Sequence, residues 1–328
     1  MNDDISIPSI DLGAFNKNDG HSRNKTGVLV DEICREIGFL KITNHEIPID
    51  TIENAWNAAT EFFALSERQK NIYRPINPRS PRGYFPMQSE TLTKSRGIVT
   101  PPDLKEAFSS GPLSQISNQG DDYDFFYGKN IWPEKPRYFK NAWIKYYQSM
   151  ELLSLQIMRL FAVALNLDQF FFDNYYTHHI SALRTLNYPA IKFDHLPDQE
   201  RAGAHTDYGS LTILLPDPKI GGLEVKYKNG KWLPINPEEN TFIINIGDMM
   251  ARWTNDRWVS TLHRVTSPNK IKQTLTEKRQ SIAYFQNPNF DAEIKCLPTC
   301  IQSDNEAKYQ TIKAGEYLMN RFNATMKK

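Results

Sequence analysis

Three cysteines in 328 residues, with no Cys-x-x-Cys pair, are too few for a disulfide framework. Cys34 stands alone, and Cys296 and Cys300 have no further Cys or His nearby to complete a tetrahedral zinc set. Such usage fits a reducing compartment. Charge of one sign is lacking too. With 39 basic against 38 acidic residues the net charge is +1, which excludes the single-sign surface used to hold nucleic acid or an anionic membrane. No apolar run reaches the length that spans a bilayer, and Met1-Asn2-Asp3-Asp4 carries no apolar core of a signal peptide. Repeats, low-complexity tracts and an obvious linker are also missing. The chain is therefore expected to be a cytoplasmic monomer forming one compact unit over residues 1–328, with no nucleic-acid or membrane partner. Its length is ample for a sizeable core.

What is present changes in texture along the chain. Ile7-Pro8-Ser9-Ile10-Asp11-Leu12 reads as an edge strand, with Pro8 where no ladder donor is missed. Residues 25–37 space Val28, Val30, Ile33 and Ile37 at helical intervals, and Gly38 stops that helix. Phe39–Thr43 follows as a strand, Thr51–Leu65 as an amphipathic helix, and Ser66 as the cap of another. From Pro75 to Asp122 the pattern is that of a long loop rich in Pro, Gly, Ser and Asn, with islands at Arg82–Phe85 and Asp103–Phe108. Pro136–Leu165 is the longest helical pattern, with Trp143, Tyr146, Met150, Leu153, Ile157 and Leu160 along one side.

After residue 178 short strands and turns take over. Ile180–Tyr188, Gly203–His205, Thr212–Leu215, Leu223–Lys226, Phe242–Ile246, Ser260–His263 and Gln280–Gln286 are separated by turn signals such as Asn229-Gly230. The expected fold is β-rich α+β, a distorted double-stranded β-helix (jelly roll) with flanking helices. Residues 5–122 would form an N-terminal helical and loop region, 178–288 the jelly-roll core, and 300–328 a C-terminal helical segment.

His205 and Asp207 lie two apart in an extended segment and so project from one face. An imidazole beside a carboxylate is two-thirds of a 2-His-1-carboxylate triad, which holds Fe(II) on one side and leaves the others open. His263, on a later strand, can complete the set at one mouth of a jelly roll. Arg279, Ser281 and Phe285 share a face by parity, and a guanidinium fork beside a hydroxyl makes a carboxylate clamp. Arg184, Leu186 and Tyr188 share a face on an earlier strand.

The set His205-x-Asp207, His263 and Arg279-x-Ser281 resembles the Fe(II)/2-oxoglutarate-dependent oxygenases of the isopenicillin N synthase-like branch. So do Gly38-Phe39 with Asn44-His45, Asp103-Leu104-Lys105-Glu106, Gly221-Gly222-Leu223-Glu224-Val225 and Asn245-Ile246-Gly247-Asp248, and the likeness covers nearly the whole chain. It implies Fe(II) held by His205, Asp207 and His263, and 2-oxoglutarate with its far carboxylate on Arg279 and Ser281. Tyr188 matches a tyrosine that contacts this cosubstrate, whereas the asparagine two places before it in the family is Leu186 here. Arg184 matches an inward arginine of some bacterial relatives, near cosubstrate or substrate. The spacing from His263 to Arg279 exceeds that of many plant members, and the extra residues are assigned to the loop Ser267–Glu277.

The implied activity is a dioxygenase of secondary metabolism. It would oxidise a C–H bond of a small molecule by hydroxylation, desaturation or cyclisation, consume O2 and release succinate and carbon dioxide, with ascorbate as a stimulant. Arg184 and Lys192 suggest that the substrate carries a carboxylate, and Phe285, Tyr84 and Lys192 are the candidate substrate contacts. An iron oxidase that closes a ring on its substrate without 2-oxoglutarate fits the same residues, because there the Arg-x-Ser pair holds a substrate carboxylate. A jelly-roll binding module without catalysis is the reading from a different class. His178, His179, Trp253 and Trp258 are read as structural.

Overall fold

Among the described residues, two larger sheets are built from twelve strands: β1 (Ser9–Asp11), β2 (Phe39–Thr43), β3 (Gly83–Phe85), β4 (Glu106–Ser110), β5 (Ala182–Tyr188), β6 (Ala202–His205), β7 (Leu211–Leu215), β8 (Leu223–Lys226), β9 (Trp232–Ile235), β10 (Phe242–Ile246), β11 (His263–Val265) and β12 (Arg279–Gln286). The computed structural model describes residues 7–16, 20–77, 79–114, 116, 120–190, 196–266, 277–301 and 306–326. The large sheet runs β1-β2-β10-β7-β12-β5-β4-β3, and a four-stranded sheet runs β6-β11-β8-β9. Only β1 and β2 pair in parallel; the other pairs in these two sheets are antiparallel. This is the distorted jelly roll with flanking helices expected from the pattern of short strands.

The two faces of the large sheet do different work. Residues directly opposite each other in an antiparallel pair share a face, so the register extends each position into a row across the sheet. Tyr84, Phe108 and Thr185 form one such row, and Leu183 and Tyr284 another on the same face. The helices Ile49–Phe63 and Phe139–Ala164 cover this face. Phe62 meets Tyr84 and Phe108 edge-on, Tyr147 meets Tyr284, and the Trp143 indole donates to Ser110 Oγ at 2.8 Å. All six residues proposed as the stripe of the long helix are buried to within 1 % exposure. The opposite face carries Ala182, Arg184, Leu186 and Tyr188 on β5 against Phe285, Ala283, Ser281 and Arg279 on β12.

The segment 75–122 departs from its loop reading, because β3 and β4 lie in it and extend the large sheet. Its fully buried Glu-Ala-Phe-Ser-Ser strand has no apolar alternation to reveal it. Glu106 stays buried because Lys70 Nζ (2.7 Å), the Tyr84 hydroxyl (2.5 Å) and Asn187 Nδ2 (2.7 Å) all donate to its carboxylate. Further elements escape the sequence pattern, among them β9 and a short helix Asp248–Trp253 where only a turn was expected. Ser260–His263 is not a strand in full, since β11 begins at His263. Gly38 ends its helix at φ +64°, and a Cβ there would lie 2.0 Å from the Val259 carbonyl oxygen.

Candidate metal and cosubstrate site

β6 and β11 pair with His205 directly opposite His263, so antiparallel register alone brings the two imidazoles together. Asp207 follows β6 in the turn that leads to β7. Both His205 Nε2 and His263 Nε2 stand 3.8 Å from Asp207 Oδ1, and all three donor atoms lie within 4.8 Å of one another. Among the described residues this is the only such group of three or more His, Cys, Asp or Glu side chains.

Each side chain is aimed by its other polar atoms. His205 Nδ1 donates to the Gly203 carbonyl at 2.8 Å and His263 Nδ1 to the Thr261 carbonyl at 3.1 Å, which is the tautomer that frees both Nε2 lone pairs. Asp207 Oδ2 accepts from Thr212 Oγ1 (2.6 Å) and Asn245 Nδ2 (2.7 Å), so Oδ1 turns toward the imidazoles. Its main-chain carbonyl accepts from the Asp248 N–H at 2.7 Å, fixing the turn. The Phe39 ring meets His263 edge-on at 5.4 Å. Burial, then the neighbouring His263, pull the His205 pKa down to about 3, leaving its lone pair free of a proton across the neutral range. Burial alone would raise the Asp207 carboxyl, but His263, His205, Thr212 and Asn245 outweigh it and hold the carboxyl below its usual range. Two imidazoles with their Nε2 atoms turned to one carboxylate oxygen fit a divalent cation.

The cavity-side face of the large sheet leads away from this cluster in ordered rows. Asn245, Thr212, Phe285 and Ala182 form the first, and Leu214, Ala283 and Arg184 the second. Ser281 with Leu186, then Arg279 with Tyr188, follow. Arg279 and Ser281 are each 1 % exposed. Arg279 donates through Nε to the Gly221 carbonyl (3.1 Å) and through Nη1 to Ser281 Oγ (3.4 Å), and its Cζ sits 4.9 Å over the Tyr188 ring. None of its described acceptors carries a charge.

The candidate substrate residues divide. Phe285 stands directly across from Thr212, the residue that bonds Asp207, and so lies beside the three-residue cluster. Tyr84 does not reach the cavity: it points to the helix side, where its hydroxyl is taken by Glu106. Its neighbour Phe85 occupies the other face, with the Arg184 guanidinium 5.0 Å from its ring centroid. Lys192 lies outside the described residues, as does most of the Ser267–Glu277 loop. Arg184 is present in the cavity but not as a lone cation, because its Nη2 bonds Glu90 Oε1 at 2.7 Å. Burial alone would raise the Glu90 carboxyl, but Arg184 and Lys105 outweigh it and hold its pKa at about 2. Leu186 offers no polar contact, while the adjacent Asn187 faces the helix side and binds Glu106. His179 pairs with Glu151 at 2.8 Å, and Trp253 and Trp258 are buried, all structural as expected.

Glu90, Thr212 and Arg201 were not singled out from sequence, and Asn245 entered only within the segment Asn245-Ile246-Gly247-Asp248 and without a role. Asn245 had a usable signal, as the sole polar residue in the strand Phe242–Ile246. Glu90 had none, since it lies in an irregular stretch.

Residues 171–288 match the family model of the 2OG-Fe(II) oxygenase superfamily, and residues 7–135 match that of the non-haem dioxygenase in morphine synthesis N-terminal region. A 2-oxoglutarate-Fe(II) type oxidoreductase of Emericella nidulans is 32 % identical, covering 93 % of this chain and 86 % of the relative. A proline hydroxylase of Petromyces alliaceus is 33 % identical over 87 % of this chain and 88 % of its own. A full-length Neurospora crassa protein solved in complex with alpha-KG superposes with a TM-score of 0.86 at 34 % identity, covering 99 % of this chain and 98 % of that one. The same Neurospora protein has also been solved with alpha-KG and thymine, with a TM-score of 0.85 and 33 % identity over the same shares of the two chains.

Proposed function

The chain belongs to the 2OG-Fe(II) oxygenase superfamily, and from that premise we propose that His205, Asp207 and His263 hold its Fe(II) while Arg279, Ser281 and Tyr188 hold the far carboxylate of 2-oxoglutarate. It is a 2-oxoglutarate-dependent dioxygenase that oxidises a C–H bond of a small molecule with release of succinate and carbon dioxide. The ring-closing oxidase that dispenses with 2-oxoglutarate is set aside, since this chain's relatives use that cosubstrate. The observation that carries the residue assignment is the orientation of the imidazoles. Both Nδ1 atoms are tied to backbone carbonyls, and both Nε2 atoms converge on one free carboxylate oxygen.

When bound, Fe(II) with 2-oxoglutarate and oxygen supplies the oxidising power that a protein side chain lacks. The residues of this chain do the rest. Thr212 and Asn245 fix which Asp207 oxygen faces the metal. Arg279 presents a planar fork to a carboxylate, held ready by Gly221 and Ser281. Phe285 walls the cavity at the metal end. Replacing Arg279 by lysine is expected to raise the KM for 2-oxoglutarate about tenfold to a hundredfold, with little change for the oxidised substrate. Lysine keeps the charge but loses the fork, and a charge-assisted hydrogen bond is worth about 1.5–3 kcal/mol. Steady-state measurement of both KM values decides it. A rise confined to the oxidised substrate would transfer the clamp from cosubstrate to substrate.

For the substrate, the supporting feature is the Arg184–Glu90 pair, two rows from Tyr188 and one from Phe285. A cation and a carboxylate side by side suit a molecule that offers an acceptor and a donor together. The first reading is an amino-acid zwitterion, its carboxylate on Arg184 and its ammonium on Glu90; the likeness to a proline hydroxylase favours it. The second is the imide edge of a pyrimidine, favoured by the likeness to the Neurospora protein solved with thymine. Succinate formed from 2-oxoglutarate in the presence of L-proline, other amino acids and thymine separates them. Stimulation of at least severalfold by one class is expected, and stimulation by neither would remove this pair from substrate recognition. Buried free thiols at Cys34, Cys296 and Cys300 support a cytoplasmic location, and a monomer of small-molecule secondary metabolism completes the reading.

A further inference from the structure

A second arginine lies beside the clamp. Arg201 immediately precedes β6, in alternation with Gly203 and His205, and is 1 % exposed like Arg279. Its only described hydrogen bond runs from Nη2 to the Glu277 carbonyl, two residues before Arg279. Among the described residues, its buried Nε and Nη1 find no partner. Burial and the charge of nearby Arg279 both lower its pKa, with Tyr188, Glu277 and Asp217 opposing them. Of the two acids that oppose this lowering, Glu277 is exposed, and Asp217 already accepts the N–H groups of Lys219 and Ile220 on Oδ1 and that of Gln280 on Oδ2. Among the described residues, neither Arg201 nor Arg279 is bonded to a carboxylate.

Two buried guanidinium groups within each other's field, neither bonded to a carboxylate among the described residues, make an arrangement that proteins normally neutralise. Arg201 also holds two unused donors there, so the shortfall is in hydrogen bonds as well as in charge. We propose that Arg201 is a further cosubstrate-binding residue, whose free Nε and Nη1 groups close around the distal carboxylate that Arg279 and Ser281 grip from the other side. This rests on the clamp reading above and adds a residue to it. The pocket is then selective for a dicarboxylic keto acid, because a monocarboxylate would leave two buried cations unanswered.

The test is calorimetric binding to the Fe(II)-loaded protein without oxygen, using 2-oxoglutarate and 2-oxobutyrate, a keto acid without the distal carboxylate. Arg201→Gln is expected to weaken 2-oxoglutarate by about tenfold or more and to leave 2-oxobutyrate unchanged. Arg201→Lys, which retains the charge, should fall between it and the parent, and serves as the working variant if the glutamine form does not fold. Equal 2-oxoglutarate affinity in parent and variants, or equal losses for both keto acids, overturns the proposal in favour of a purely structural arginine. Arg279→Gln in the same assay keeps the two readings apart. If it weakens 2-oxoglutarate while the Arg201 variants do not, only the Arg201 assignment falls; if it does not, the clamp itself is wrong.

Discussion

Alanine at His205, Asp207 or His263 is expected to drop succinate formation to background while the chain remains folded. Three protein donors converge on one point, each already stripped of competing hydrogen bonds. With two donors left, a bound metal would lose the three-point hold that the proposed site offers it. The residues behind the donors should matter less, and by a known margin. Thr212→Ala or Asn245→Ala leaves Oδ1 in place but frees the carboxylate to rotate, for which about 10–100-fold loss of metal affinity is typical. Oxygen-free Fe(II) titration beside succinate measurement resolves the two tiers. Full iron content and near-parent turnover in any of the three alanine variants would remove that residue from the metal site.

The second large effect concerns stability. Glu106→Ala is expected to destabilise the protein by about 3–5 kcal/mol, because it strands the buried Lys70 ammonium without its partner. The pair is 8 % and 5 % exposed, so solvent offers little compensation. Tyr84 and Asn187 lose their acceptor at the same stroke. Lys70→Met combined with Glu106→Leu should be milder than Glu106→Ala alone, since replacing both charges removes the uncompensated one. Urea unfolding of the three forms provides the measurement, and a loss below about 1 kcal/mol for Glu106→Ala would mean that Lys70 finds water or another acceptor.

The residues proposed to bear the chemistry were legible as a candidate site because their spacing is local and their types are restrictive. His205 and Asp207 are two apart, and Arg279 and Ser281 share a strand face, so parity alone predicts their common direction. Phe285 followed from the same parity. Tyr84 was named as a substrate contact from an island in a loop, where no strand pattern said which face it would take, and it lies on the helix side. β4 was missed for a different reason. Its polar side chains are satisfied by Lys70 and Asn187, 36 and 81 residues from Glu106, and no local pattern encodes such partners. Arg184 illustrates the same limit, for its place on the cavity face followed from parity while its ion-pair partner did not. Glu90, its neutralising partner, lies 94 residues away in sequence.

The order of strands in the large sheet has a bearing on how the chain is made. β2 pairs with β10, so Phe39 finds Asn245, and Ile42 finds Phe242, only after some two hundred intervening residues have been added. At about 5–20 residues per second, roughly 10–40 s separate the emergence of β2 from that of its partner. During that interval a strand of sequence Phe-Leu-Lys-Ile-Thr leaves the ribosome with its β10-facing ladder edge unsatisfied. Translation rate and holding chaperones therefore bear on the yield of this protein as directly as its final stability does. Expression at lowered temperature should recover more soluble enzyme than any stabilising change confined to the finished fold.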